Sequence, residues 1–171
     1  MAVFRFGQSP AVIGLDIGSS AIKAIELQRN GRGRRVAAYA MEPVPPGSIA
    51  DGSILDPTAV AAAVRRALAR GKFSGREVCV SLSGNAVIVK KINLPVMTAA
   101  ELADSIVWEA EQYIPFDVQD VNLDYQILDA GTGPDARGSM EVLLVAAKKD
   151  KTAEYTSVVE AAGRTPVVVD V

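Results

Sequence analysis

The alternation of apolar and polar positions divides the chain into short strands and three helices. Apolar runs at 11–17 and 21–28 flank Gly18-Ser19-Ser20. This strand, turn, strand order reads as a hairpin. The glycine-rich stretch Arg29-Asn30-Gly31-Arg32-Gly33-Arg34-Arg35 reads as a solvated hairpin loop. A third strand spans 36–44, and Pro43, Pro45 and Pro46 end it in an extended connection. Asp56-Pro57 then opens a helix, with Asp56 as N-cap and Pro57 at the first helical position. Val60, Val64, Ala67 and Leu68 form its inner face. Arg65, Arg66 and Arg70 crowd its last turn as dipole and surface residues, and Gly71 terminates it. Residues 77–83 read as a buried strand, and residues 1–9 as a flexible lead.

The pattern changes at Ser83-Gly84-Asn85. A strand at 86–94 exposes Lys90 and Lys91, and Pro95 ends it. Thr98-Ala99-Ala100-Glu101 is a capping box, with Met97 and Leu102 placed as a hydrophobic staple. The helix it opens runs to about Tyr113, with Leu102, Ile106, Ala110 and Tyr113 on one face. Trp108 falls off that stripe, which leaves it half-buried at a seam or part of a partner surface. Ile114-Pro115-Phe116 breaks the helix. Val121, Leu123, Tyr125 and Ile127 alternate with polar residues, the mark of a strand with one buried face. After a loop at 131–138, the apolar run 140–147 is expected to be a central strand. Asp150 caps a last helix at 151–162, packed through Tyr155, Val158, Val159 and Ala162; Gly163 ends it, and 165–171 begins one more buried strand. Residues 86–162 thus form a small α+β lobe set between two strands of the first.

Composition narrows the chemistry. The chain has 171 residues, a net charge of −2, one cysteine and no histidine. Without histidine, no Ser-His-Asp or Cys-His nucleophile and no histidine metal site can be built from this chain. A metal would need oxygen ligands. Cys79, within Val78-Cys79-Val80, reads as a small buried hydrophobe in a reducing compartment. Mixed charge and few aromatics give no reason to expect nucleic acid. No apolar run is long enough to insert in a membrane, and the first ten residues lack a signal-peptide core, which makes the expected location cytoplasmic.

The first hairpin carries the candidate site. Gly18 lets the backbone approach an anion, successive turn N–H groups can converge on oxygen, and Ser19 and Ser20 add hydroxyl donors. Lys23 supplies positive charge, and Asp16 a carboxylate for a hydrated magnesium ion. An ordinary Gly-Ser turn with a solvated lysine is the alternative. The turn joins strand to strand, unlike phosphate loops that lead into a helix.

The chain resembles the actin-like ATPase superfamily, and within it the family of type IV pilus assembly proteins PilM. The resemblance rests on Gly14-Leu15-Asp16-Ile17-Gly18-Ser19-Ser20-Ala21-Ile22-Lys23, Lys90-Lys91-Ile92-Asn93-Leu94-Pro95, Glu109-Ala110-Glu111-Gln112-Tyr113-Ile114-Pro115-Phe116 and Leu123-Asp124-Tyr125-Gln126. Residues 142–150 and 166–171 extend it. The first motif alone is shared with the cell-division protein FtsA and many sugar kinases. The resemblance implies an α/β fold: a ribonuclease-H-like subdomain 1A (10–85 and 163–171) carrying an inserted α+β subdomain 1C (86–162) of strand, helix, strand, strand. It implies ATP and Mg2+ as ligands, with Gly18, Ser19, Ser20 and Lys23 at the phosphates and Asp16 reaching the metal through water. Asp170 is a candidate to face the cleft, with a plain strand-end role as the alternative. No catalytic residue is singled out.

The family further implies a cytoplasmic scaffold, peripheral at the inner membrane. Its partner is the N-terminal tail of a PilN-like membrane protein, gripped in a groove between 1A and 1C. Val87, Ile88, Val89, Lys90, Ile92, Tyr113, Pro115 and Phe116 are the candidates here, on the strand-addition mode of recognition. Other assembly-platform proteins and motor ATPases are implied partners. Half of such a cleft cannot exclude water, so this chain alone is not expected to turn over ATP. A small-molecule kinase of the same superfamily, or an interaction module with a vestigial loop, are the alternatives.

Overall fold

The computed structural model of the chain describes residues 12–131 and 138–171. The expected lead at 1–9, the start of the first strand at Ala11 and most of the loop at 131–138 lie outside the described residues. The rest falls into two compact units, one running to Gly84 and resuming at Lys151–Val171, the other Asn85–Asp150.

The first unit is built on a five-stranded sheet. Its strands are β1 (Val12–Ile17), β2 (Ala21–Asn30), β3 (Gly33–Pro43), β6 (Glu77–Ser81) and β10 (Thr165–Asp170). They lie in the order β10-β6-β1-β2-β3. β1, β2 and β3 pair antiparallel, while β6 runs parallel to β1 and β10 parallel to β6. This is the ribonuclease-H-like arrangement. Helix α1 (Pro57–Gly71) packs on β2 and β3. Ile13, Leu15, Ile22 and Ala24 of the sheet and Val60, Val64, Ala67 and Leu68 of α1 are buried. The alternate positions face the other way. There Ile25, Tyr39, Met41 and Val168 are exposed.

Local chemistry explains the ends of α1. Asp56 Oδ1 accepts from Ala59 N at 2.9 Å, the expected N-cap. The C-terminus differs from expectation, because the left-handed residue is Lys72, at φ 55°, and not Gly71. At Gly71 the Phe73 ring takes the space a side chain would use. A Cβ there would lie 2.3 Å from Cε2 of Phe73, whose ring covers the glycine. Of the arginines read as surface residues, Arg66 and Arg70 pair with Glu42, at 2.8 and 3.1 Å. The hydrogen bond from Arg66 holds Glu42 below its ordinary pKa despite the opposing effect of burial, with the charge of Arg70 adding to it.

Three expectations for this unit are corrected. The connection after β3 contains a small hairpin, β4 (Ile49–Ala50) and β5 (Ser53–Ile54). Its turn is Asp51-Gly52, at φ 49° and 75°, the Asp-Gly pairing that favours a type I′ turn. Second, α3 (Lys149–Ala161) begins one residue before Asp150, and from Lys151 it belongs to this unit and not to the inserted lobe. Tyr155 Oη donates to Gly52 O at 3.1 Å, Lys151 Nζ to Ser53 Oγ at 2.8 Å, and the Glu154 carboxylate accepts from Ile54 N. Third, β10 is a largely exposed strand and not a buried one, lying at the edge of the sheet among the described residues.

The second unit is a three-stranded antiparallel sheet under one helix. β7 (Val87–Pro95), β9 (Ser139–Lys148) and β8 (Val121–Asp129) lie in the order β7-β9-β8, so β9 is central as expected. Helix α2 (Ala99–Glu111) stops short of Tyr113. Its capping box is complete: Thr98 Oγ1 accepts from Glu101 N, and Glu101 accepts from Thr98 N. Leu102, Ile106 and Ala110 pack with Ile92, Leu94, Met140, Val142 and Leu144. Trp108 is 71% exposed, which removes the reading of a half-buried seam. Among the described residues no helix is long and apolar enough to cross a membrane.

Candidate functional site

The Asp16–Lys23 hairpin is set by pairing. Asp16 lies opposite Lys23, and Ile17 opposite Ile22. Gly18 N donates to Ala21 O at 3.1 Å across the turn, and Val44 N donates to Ser20 O at 3.0 Å, tying the turn to the end of β3. Glycine suits position 18, since a Cβ would sit in a tight contact 3.1 Å from Ala21 O. Ser19 and Ser20 are exposed at the tip.

Lys23 Nζ lies 3.0 Å from Asp16 Oδ2, and both side chains are about half exposed (55% and 51%). An exposed pair of this kind is worth about 0.2–1 kcal/mol, so an incoming anion can take the lysine at small cost. Beside the pair lies a concavity of about 410 Å3 on the sheet face away from α1. Gly14, Asp16, Lys23, Ile25, Tyr39 and Asp170 line it. Asp170 thus reaches the same concavity as Asp16, because β10 runs parallel to β1 with β6 between them.

Cys79 and Ser81 also line the concavity, and neither was legible as a site residue. Cys79 is partly exposed and not the buried hydrophobe expected. Burial first, and the Asp170 carboxylate second, push its thiol up, so it stays protonated at neutral pH and is no nucleophile. The signal for Ile25 and Tyr39 was present in the sequence: β2 and β3 carry apolar residues at both parities, so both faces of the ribbon are apolar.

The hairpin fits a phosphate chain. Two hydroxyls and one ammonium stand at a turn where a side chain at 18 would be crowded against Ala21 O. Among the described residues no three His, Cys, Asp or Glu side chains converge on a point. A magnesium ion here would therefore need phosphate and water beside a carboxylate, which is its usual preference.

The partner candidates divide between two faces of the second unit. Ile88, Lys90 and Ile92 share the helix side, where Lys90 Nζ lies 5.2 Å from the Tyr113 ring centre and Lys148 Nζ lies 4.2 Å from that of Phe116. Val87 and Val89 point to the opposite side by strand alternation. Ile92, at 2% exposed, is a core residue and offers nothing to a partner. Pro115 is exposed, and Tyr113 and Phe116 are half-buried.

Comparison with known proteins agrees with this architecture. The family model described as type IV pilus assembly protein PilM matches residues 14–171. A solved structure of a PilM-PilN type IV pilus biogenesis complex is similar at 34% identity and a TM-score of 0.81, over 94% of this chain and 47% of that one. The cytoplasmic domain of EpsL, an inner membrane component of the type II secretion system of Vibrio cholerae, shares the fold at 15% identity and a TM-score of 0.56. That match covers 93% of this chain and 56% of the other. The chain spans about half the length of these solved chains. With both units matched in one run from Gly14 onward, the chain belongs to the type IV pilus assembly protein PilM family.

Proposed function

We propose that this chain is the phosphate-binding and partner-docking half of a type IV pilus assembly scaffold. The likeness to the PilM-PilN complex across both units is the observation that carries this reading. In it, the first unit corresponds to subdomain 1A and the second to 1C. The Gly18-Ser19-Ser20 turn donates to the phosphates of ATP, and Lys23 leaves Asp16 to offset their charge. Asp16 is then free to hold a hydrated magnesium ion, with the strand-end carboxylate of Asp170 lining the same concavity. Bound magnesium screens the phosphate oxygens from one another. The remainder of the family's length encloses the adenosine.

The second unit takes the N-terminal tail of a PilN-like membrane protein. β7 is an edge strand, with one row of backbone groups unpaired by β9 or β8, and an extended peptide can add there. Val89, 55% exposed, is an apolar position such a peptide would cover. Docking of this kind places the scaffold at the inner membrane through its partner.

Two titrations test the two halves of the proposal. In a protein spanning the family's full length, Lys23→Ala is expected to weaken Mg-ATP binding about tenfold to a hundredfold, the worth of one charged hydrogen bond. Equal heats for variant and parent would remove Lys23 from the phosphate site. In the present chain, a peptide copying the PilN-like tail is expected to bind one to one by calorimetry, and Val89→Asp to weaken it about tenfold. Binding indifferent to that charge would move the tail off β7.

A further inference from the structure

At the end of the first sheet opposite the Gly18 turn, β2 and β3 run on past the described part of β1 as a paired ribbon. Among the described residues β1 pairs with β2 from Ile22 to Glu26, and β2 and β3 stay paired out to Asn30 and Gly33. Only Gly31-Arg32 turns, with Gly31 at φ 60°, so the stretch read as a loop is mostly strand. The ribbon exposes Arg29, Arg32, Arg34 and Arg35. No carboxylate lies between Glu26 and Glu42, and both of those are used elsewhere, on Ser74-Gly75 and on Arg66.

The arrangement is poor for folding. Arg29 stands directly opposite Arg34, and like charges so placed repel. Arg35 Nη2 donates 3.0 Å to Gln28, a neutral group. Arg76 and Arg164 precede β6 and β10, which run parallel to β1 and start at this same end. Glu77 and Glu160 are the carboxylates nearest to them along the chain. Leu27 and Val36 oppose one another behind Arg29 and Arg34, 42% and 57% exposed. The net charge of the whole chain is −2, so this concentration of guanidinium groups is local.

We propose that the ribbon tip docks on an anionic phospholipid surface, its arginines pairing with lipid phosphates. Three observations favour a bilayer over a folded partner or a nucleic acid. Every cation from 24 to 64 is arginine, whose fork meets two phosphate oxygens at once, where lysine is a point charge. The charges stand on both faces of the ribbon and in its turn, a convex tip that suits a plane of phosphates and that a protein would have to wrap. No aromatic side chain lies between 28 and 38 to stack on bases. This contact uses neither nucleotide nor partner peptide, so it stands or falls apart from the proposed function.

Flotation with vesicles tests it. At low salt the chain is expected to rise with vesicles of phosphatidylcholine mixed with phosphatidylglycerol and not with phosphatidylcholine alone. An arginine near an anionic surface contributes about fivefold, so Arg29→Gln with Arg34→Gln should weaken binding about 25-fold. Raising the salt should do the same. Arg32→Gln with Arg35→Gln, at the turn, provides a second reading if the first pair disturbs the ribbon's melting. Flotation with neither vesicle, equal flotation with both, or variants that float like the parent would overturn the proposal. Self-association that these variants abolish, in a chain that binds no vesicle, would overturn it too and give the ribbon to a protein partner.

Discussion

Leu102→Ala is expected to destabilise the Asn85–Asp150 unit by about 3 kcal/mol, a transfer loss plus the cavity left behind. Leu102 is fully buried at the first inward position of α2, where it joins Ile106 and Ala110 over Met140, Val142 and Leu144. This core is thin: one helix over three strands, with few neighbours able to collapse into a void. For a chain of this size the melting temperature should fall about 6–12 °C. Leu102→Met, which conserves volume, should lose less than about 1.5 kcal/mol. The effect reaches function. Ile114 belongs to the same core and holds the corner carrying Tyr113, Pro115 and Phe116. Binding of the tail peptide should therefore weaken as the unit loosens. Thermal melts followed by circular dichroism decide the matter, and a Leu102→Ala variant that melts with the parent would mean that α2 does not hold this unit together.

Glu26→Gln should cost about 2–3 kcal/mol at neutral pH, the worth of hydrogen bonds to a charged group. Glu26 is 1% exposed, inside the first unit. Its carboxylate accepts from Ser74 Oγ at 2.6 Å, Ser74 N at 2.9 Å and Gly75 N at 3.0 Å, and so fastens the turn between α1 and β6 to β2. Burial alone pushes its pKa up, but the bonds from Ser74 and Gly75 outweigh burial and hold it below the ordinary value. A carboxylate with a lowered folded pKa contributes its full stability above its unfolded pKa and loses it as pH falls through the folded one. The difference between parent and variant should therefore be widest at neutral pH and shrink on acidification, where a protonated Glu26 resembles glutamine. Urea titrations at neutral and acid pH measure it. A difference that stays constant across that range would assign the loss to packing and not to charge.

The Asp16–Lys23 hairpin was legible because its pairing is local. Asp16, Gly18, Ser19, Ser20 and Lys23 lie within one strand, turn and strand, and pairing across the turn brings Asp16 opposite Lys23 without help from the rest of the chain. The capping box at Thr98 and the N-cap at Asp56 were legible for the same reason. The Asp51-Gly52 hairpin was equally local and was missed, hidden by the prolines before it. The partner candidates on β7 were chosen as a continuous segment, but a strand turns alternate residues to opposite faces, so Ile92 went to the core while Val89 stayed outside.

The sequence by itself determined most of the strands and helices, the first hairpin, and the absence of any histidine chemistry. These follow from period, capping and composition, which act over a few residues. Only the tertiary structure decided what lies far apart in the chain and close in space. It set Asp170 and Tyr39 beside Asp16 through strand order, bound α3 to the β4–β5 hairpin through Tyr155 and Gly52, and carried the β2–β3 pairing out to Asn30 and Gly33 as a basic ribbon. Strand order and the length of a ladder depend on which partners are buried together across the sheet, and no window of neighbouring residues carries that information.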